Sequence, residues 1–191
     1  MGRPVDPDIR SRLLDRIIAY VWEHGISDFS LRPLAVVVGS SPRNIAYHFG
    51  SREDLLCLIF DTVRERVYEE FRAVQEDASS LDDALNRHWD SLAAPEHRRM
   101  ERLLYEMFGI SINNPERFSG YARRIANEWL KHISDMLQRF GIKNEPGQEL
   151  ATLIMTVFHG VTLDLAATDD VVRIEKSVRI CISQVKLLTN S

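Results

Sequence analysis

The sequence predicts an all-α fold, and three observations predict it. No stretch of any length alternates apolar and polar residues with period two, as a half-buried strand would. Apolar residues instead recur three and four apart in one segment after another, from Ile9 to Leu188. Between those segments stand Gly, Pro, Ser and Asp, at positions where helices start and stop. With 191 residues, 45% of them hydrophobic, the chain can bury one or two cores. The pattern divides it into a three-helix N-terminal domain, residues 1–54, and a larger helical domain, residues 55–191.

The first helix opens at Asp6-Pro-Asp8, a cap followed by proline and an acid in the first turn. Ile9, Leu13, Ile17, Tyr20 and Val21 form its apolar stripe, and Gly25 ends it. Met1 to Val5, with Arg3, is too short and polar to pack. It is a disordered tail or an arm reaching phosphate or the minor groove.

Ser30 is placed to cap a second helix with Pro33 in its first turn. Leu31, Leu34, Ala35 and Val38 give that helix one apolar face. Gly39 sits where the helix needs a residue that accepts positive φ. Ser41 then caps a third helix, with Pro42 at its first position. Ile45 and Phe49, four apart, point inward and leave Arg43, Asn44, Tyr47 and His48 on other faces. Gly50 closes the helix, and Ser51 to Asp54 form a capping box with Asp in the usual Glu place.

Two short helices joined by a Gly-containing bend, with the small Ala35 where they cross, make a helix-turn-helix. No Asp or Glu occurs between Asp28 and Glu53, whereas Arg32, Arg43 and Arg52 fall in that interval. An acid-free, Arg-bearing second helix suits the major groove of DNA, where phosphates repel carboxylates and Arg reads guanine. The candidate contacts are Arg43, Asn44, Tyr47 and His48, at the helix that begins with Ser41 and Pro42. Ser30, Arg32 and Arg52 are placed to hold phosphates.

A fourth helix runs from Arg52 into the seventies, with Leu55, Leu56, Ile59, Val63, Val67, Phe71 and Val74 at helical spacing. Arg64, Glu65, Arg66, Glu69, Glu70 and Arg72 take its polar face, and 76–80 marks a break. Further helices are predicted from Leu81 to about Ala93, and from Pro95 with Met100, Leu103, Leu104, Met107 and Phe108 inward. Asn114-Pro115-Glu116 reads as the start of a long helix carrying Phe118, Tyr121, Ile125, Trp129, Ile133, Met136, Leu137 and Phe140. Pro146 opens an apolar helix through Ala167, and Asp169 and Asp170 cap the last one. That last helix is expected to bury Val171, Ile174, Val178, Cys181, Ile182, Val185 and Leu188.

Leu150, Ile154, Val157, Val161 and Leu165 make one face of the penultimate helix, and Leu153, Phe158, Thr162 and Leu163 make others. A helix apolar nearly all round must be covered on all sides. Two such hairpins from two copies, packed as a C2 four-helix bundle, would cover it.

Ser30 to Phe49, followed by Gly-Ser-Arg-Glu-Asp-Leu-Leu at 50–56, resembles the DNA-binding domain of the TetR family of one-component transcriptional regulators. The match covers about the first third of the chain. It joins the bend, the His48-Phe49 ending and the start of the following helix. Ala46 stands where the family usually has an aromatic residue, and Ser40 where it usually has an apolar one. The resemblance implies a homodimer formed through the last two helices, and repression from a palindromic DNA operator that a small apolar effector relieves. It also implies an effector cavity among the C-terminal helices, without saying which residues line it. The candidates are Trp89, Tyr105, Phe108, Tyr121, Trp129, Met155, Phe158 and His159, with His159 as the polar contact. The alternative is an all-α module that binds a small molecule or a protein partner and carries a degenerate DNA reader.

Net charge is −4. Residues 1–56 balance seven arginines against five aspartates and two glutamates, so the remainder carries the whole excess. A small DNA-reading surface on an acidic body fits that split; a generic polyanion binder does not. The six histidines, at 24, 48, 88, 97, 132 and 159, form no HExxH or paired metal spacing. There is no GxSxG and no Gly-rich phosphate loop. The reading is therefore not an enzyme, with no metal and no cofactor. His88 and His132, near Trp89 and Trp129, read as solvated or core-edge histidines. Cys57 and Cys181 read as buried free thiols in a reducing compartment. Asp6 and Asp8 interrupt any early apolar run, and His159, Gly160 and Asp164 interrupt the most apolar helix, so the chain is expected to be cytoplasmic with no membrane partner.

Overall fold

The computed structural model describes residues 7–26 and 29–189, without the side chains of Pro7, Asp8, Val74 and 144–146. The expectations for Met1 to Val5, the Asp6 cap and the Val74 side chain lie outside those residues. Among the described residues the chain forms nine helices and no strand, as the periodicity predicts. They are α1 (Pro7–His24), α2 (Leu31–Val37), α3 (Pro42–Phe49), α4 (Arg52–Glu76), α5 (Leu81–Ala93), α6 (Pro95–Asn113), α7 (Tyr121–Arg139), α8 (Asn144–Thr168) and α9 (Val171–Thr189).

Two compact units divide the chain. One takes the residues up to Arg66 together with Glu106–Tyr121, and the other takes Val67–Tyr105 and everything from Ala122. In the first unit α1 buries Leu13, Ile17 and Val21. Ile9, assigned to the same stripe, is exposed, because it stands in the first turn beyond the packed part of the helix. α2 packs on α1 and α3, burying Leu34, Ala35 and Val38 from α2 and its C-cap and Ile45 and Phe49 from α3.

The caps of this unit divide on one chemical detail. Ser41 accepts from the Asn44 amide at 3.1 Å, and Ser51 and Asp54 close a reciprocal box at 3.1 and 2.9 Å. Ser30 occupies the cap position of α2 but its side chain makes no cap hydrogen bond. The third residue of that helix is Pro33, which removes one of the two amides a capping hydroxyl can reach.

Arg64, assigned to the polar face of α4, is buried and paired with Asp61 at 3.1 Å. Phe60 and Tyr68, one turn to either side of it along the same helix, are buried too. The apolar face of α4 is therefore wider than the stripe through Val63 and Val67, and Arg64 lies inside it.

The helix expected from Asn114 begins only at Tyr121. Residues 114–120 wind as turns, with the Gly120 amide donating to the Pro115 carbonyl at 2.9 Å. Ser119 (φ 50°) and Gly120 (φ 68°) then adopt left-handed backbone, through which a right-handed helix cannot run. Phe118 is buried nonetheless.

In the second unit α5, α8 and α9 pack together over a core that includes Leu85, Trp89, Leu137, Ile154, Val178 and Ile182. α8 starts at Asn144, so Pro146 falls in its first turn, where a missing N–H leaves no intrahelical bond unmade. Asp170 caps α9 by accepting from the Arg173 amide at 3.1 Å. Leu188, expected in the core, is exposed, and so are Val172, Ile180 and Leu187 on α9 and Leu153 and Leu163 on α8. Within α8, Gly147–Thr168 is long and apolar enough to cross a membrane by length and composition, and it buries Ile154, Phe158 and Leu165 in this core. Cys57 and Cys181 are half-buried thiols. Burial pushes the Cys181 thiol up, away from the reactive thiolate.

Candidate functional site

The helix-turn-helix of the first unit is held from both sides of its bend. Gly39 takes φ 63°, a conformation that a side chain would strain. Its amide donates to Val36 at 3.2 Å and the Ser40 amide to Ala35 at 2.8 Å, which satisfies the last carbonyls of α2. Two residues on, the Ser41 cap starts α3. With Ile45 and Phe49 turned into the core, α3 presents Arg43, Asn44 and Tyr47 to solvent, and Tyr47 is 66% exposed. His48 is half-buried and lies edge-on to Tyr47, with ring centroids 5.3 Å apart. Its Nδ1 is buried with no hydrogen-bond partner among the described residues. Arg10 from α1 reaches the His48 carbonyl at 3.4 Å and lies over the Phe49 ring at 5.2 Å.

Of the flanking candidates, Ser30, Arg32, Ser41 and Pro42 are exposed. Arg52 is committed within the fold. Its Nε donates to the Phe29 carbonyl at 2.7 Å, its guanidinium sits 5.7 Å from the Phe29 ring, and Glu53 lies 3.6 Å away. Glu53 also pairs with Arg117 at 3.0 Å.

In the second unit rings gather around Trp129 of α7. Tyr68 and Phe71 of α4 approach it edge-on at 4.8 and 5.6 Å. His88 of α5 lies 4.4 Å from Phe71 and 5.0 Å from Phe158 of α8. His132 lies 4.2 Å from Tyr68, and His159 is edge-on to Trp129 at 6.5 Å. Tyr105 of α6 donates to the His159 carbonyl at 2.8 Å and touches the Thr162 hydroxyl.

Of the eight ligand-site candidates the structure thus brings together Trp129, Phe158, His159 and Tyr105. Trp89 is buried in the core of α5, α8 and α9, and Met155 packs against that core. Phe108 and Tyr121 belong to the other unit. Sequence reading missed Tyr68 and the ring contacts of His88 and His132. The spacing of Tyr68 and Phe71, three apart on α4, was the available signal for the first. Trp129, three residues before His132 on α7 with ring centroids 6.4 Å apart, was a local signal for that histidine, whereas Phe71 and Phe158 reach His88 from other helices.

This interior disfavours charge. Burial, with His159 nearby, pushes His88 down to about 3. Burial likewise lowers His159 and is the first cause of the lowering at His132. At neutral pH these imidazoles are uncharged, and each offers one N–H and one lone pair. Burial raises the Tyr105 hydroxyl and pushes Glu101, one turn before it on α6, up to about 7. Among the described residues no group of three or more His, Cys, Asp or Glu is placed to hold a metal ion.

No family model matches the chain, and no curated protein matches it. Solved structures do. The chain is similar to a multidrug binding protein, EbrR, solved with imidazole, at 22% identity and a TM-score of 0.73, over 97% of this chain and 93% of that one. It is similar to a TetR transcriptional regulator from Legionella pneumophila at 19% identity and a TM-score of 0.69, over 96% and 97% of the two chains. A Saccharomonospora viridis protein solved with choline gives 17% identity and a TM-score of 0.76, over 93% and 97%. At such identities the likeness establishes the fold, and it does so over nearly the whole chain.

Proposed function

We propose that this protein is a ligand-responsive, DNA-binding transcriptional regulator of the TetR type, a homodimer that represses from a near-palindromic operator and leaves it when a small apolar effector binds. The observation that carries the reading is the outer face of α3. It is acid-free, it exposes Arg43, Asn44 and Tyr47, and it is rigidly started by Ser41. That combination suits base edges in a major groove. Arg32 supplies phosphate contact, while Arg52 serves chiefly to hold the fold around Phe29.

Dimerisation through α8 and α9 accounts for Leu153, Leu163, Val172, Ile180 and Leu187, which one copy leaves exposed. The half-sites would lie about one helical turn of DNA or more apart. The effector would enter among the rings around Trp129, where uncharged imidazoles favour an apolar or weakly polar guest. EbrR and the Saccharomonospora protein were solved with imidazole and choline, which supports a small organic molecule as the effector. α4 contributes residues to both compact units. A guest that prefers one setting of α4 shifts operator affinity by its differential affinity for the two settings, typically about 1–3 kcal/mol. The reading includes no catalysis, no cofactor and no membrane partner, and it places the protein with cytoplasmic DNA.

The experiment is selection from a random duplex library, with a gel shift against DNA flanking the protein's own coding region. A near-palindrome is expected, with affinity falling steeply as salt rises. Arg43→Ala is expected to lose about 1–3 kcal/mol of operator binding. Enrichment of no sequence over bulk duplex overturns the reading.

A further inference from the structure

Ser40 and Asn44 are joined by a hydrogen bond that the reader helix does not need for its own stability. The Asn44 Nδ2 donates to the Ser40 hydroxyl at 3.0 Å. Both residues are pinned by other means. The Ser40 amide is bonded to Ala35 at 2.8 Å, and the Asn44 amide is bonded to the Ser41 cap at 3.1 Å. The extra bond therefore fixes neither backbone; it fixes the rotation of the Asn44 carboxamide, which is otherwise exposed.

We propose that Ser40 is a positioning residue that presets Asn44 to read adenine, an inference that rests on the DNA-binding reading above. A carboxamide carries two N–H donors and one carbonyl acceptor. With one N–H held by Ser40, the groups left for a base are one N–H and Oδ1. Adenine presents the complement in the major groove, the N7 acceptor beside the N6 amino donor. Guanine presents two acceptors, N7 and O6, so Oδ1 would oppose O6. Turned the other way round, Asn44 would present both N–H groups and select guanine. In the orientation seen, Ser40 accepts from Nδ2 and Asn44 stands ready for adenine; that ordering precedes DNA, so binding does not bear its cost.

The test uses the full-length protein and a duplex library randomised across the operator. Wild type, Asn44→Ala, Ser40→Ala, Ser40→Thr and the double variant S40A/N44A are compared, each first checked for an unchanged thermal melt. One adenine per half-site is expected whose preference over guanine, about tenfold or more, disappears in Asn44→Ala. Ser40→Ala is expected to weaken that preference about three- to tenfold, the scale of one side-chain ordering. Ser40→Thr, which keeps the hydroxyl, restores it, and the double variant matches Asn44→Ala alone. A purely structural serine would weaken every operator position together and would add its loss to that of Asn44→Ala.

The inference is overturned if guanine is preferred at the Asn44-dependent position, if no position depends on Asn44, or if Ser40→Ala keeps full discrimination. Those outcomes leave the DNA-binding reading standing. Failure of the wild-type protein to prefer any duplex removes that reading, and this inference goes with it.

Discussion

α3 and α9 carry similar apolar spacing and use it differently. α3 buries Ile45 and Phe49 and gives solvent a polar face with one aromatic, Tyr47. α9 buries Ile174, Val178, Ile182 and Val185, and still exposes Val172, Ile180, Leu187 and Leu188. On the proposed reading the first helix is complete within its own chain, because a polar outer face is what a hydrated groove requires. On the same reading the second awaits a second copy, because a monomer gains nothing from a second apolar face. Val178 and Ile180, two residues apart on α9, therefore differ in environment, one buried in the core and one exposed.

The sharpest break of that comparison is a charge at each of two positions on α9. Val178 is fully buried and Ile180 is 64% exposed. Val178→Asp places an unpaired carboxylate in the core of the second unit and is expected to cost about 4 kcal/mol or more, enough to unfold it. Ile180→Asp is expected to keep the thermal melt of a folded protein and to lower the mass seen in light scattering from dimer to monomer. If both variants fold and remain dimeric, α9 has one face only and the contrast is lost.

The helix-turn-helix supplies the matching experiment. Ile45 is fully buried between α3 and its neighbours, so Ile45→Ala is expected to lose about 2–4 kcal/mol from the lost methylenes and the space they leave. Denaturant melts read this directly. Because α3 depends on so few buried side chains, operator binding should fall with stability, whereas the Ile180→Asp variant should lose binding only as far as it loses the dimer.

The elements that were legible in the sequence are those whose signals are local. Ser41, Ser51 and Asp54 satisfy amides three residues away, so their spacing alone announces the starts of α3 and α4. Gly39 and the Ile45–Phe49 pair are of the same kind. Where sequence reading failed, a second condition intervened. Ser30 has the right side chain for a cap, but Pro33 removes one of the two amides it could reach. Asn114-Pro115-Glu116 has the chemistry of a helix start, but Ser119 and Gly120 turn left-handed before a helix can establish itself. Arg64 has the charge of a surface residue and the position of a core one, which only the burial of Phe60 and Tyr68 reveals. The rings around Trp129 come from α4, α5, α7 and α8, and no window along the chain contains that assembly.

The smallest expected effect distinguishes the two regions by the sign of a pH dependence. In the helix-turn-helix region Asp54 is exposed, and hydrogen bonds from Ser51 hold its carboxyl below the ordinary value. The unfolded chain takes up that proton first as pH falls. The stabilisation from Asp54 is thus fully present above pH 3.8, the ordinary value, and is lost as pH drops through the lower folded value. In the bundle Glu101 is half-buried, and burial raises its carboxyl from 4.5 to about 7. Here the folded state keeps a proton that the unfolded chain has already released, so stability declines as pH rises from about 4.5 and the decline is complete above about 7. Glu101→Gln, which stays neutral, removes that decline. Allowing for its partial exposure, the variant is expected to be more stable at pH 8 by about 1–2 kcal/mol, or about 2–6 °C in Tm. At pH 4 it should match the wild type, where His88, whose imidazole burial pushes down to about 3, costs both proteins alike and cancels in the comparison. Asp54→Asn should show the reverse pattern, with its loss present at pH 8 and fading in acid. Thermal melts of the three proteins across that range decide the matter: a Glu101→Gln curve parallel to wild type would mean that the carboxyl is ionised and solvated at neutral pH, and that the bundle interior is no more hostile to charge than the surface of α3.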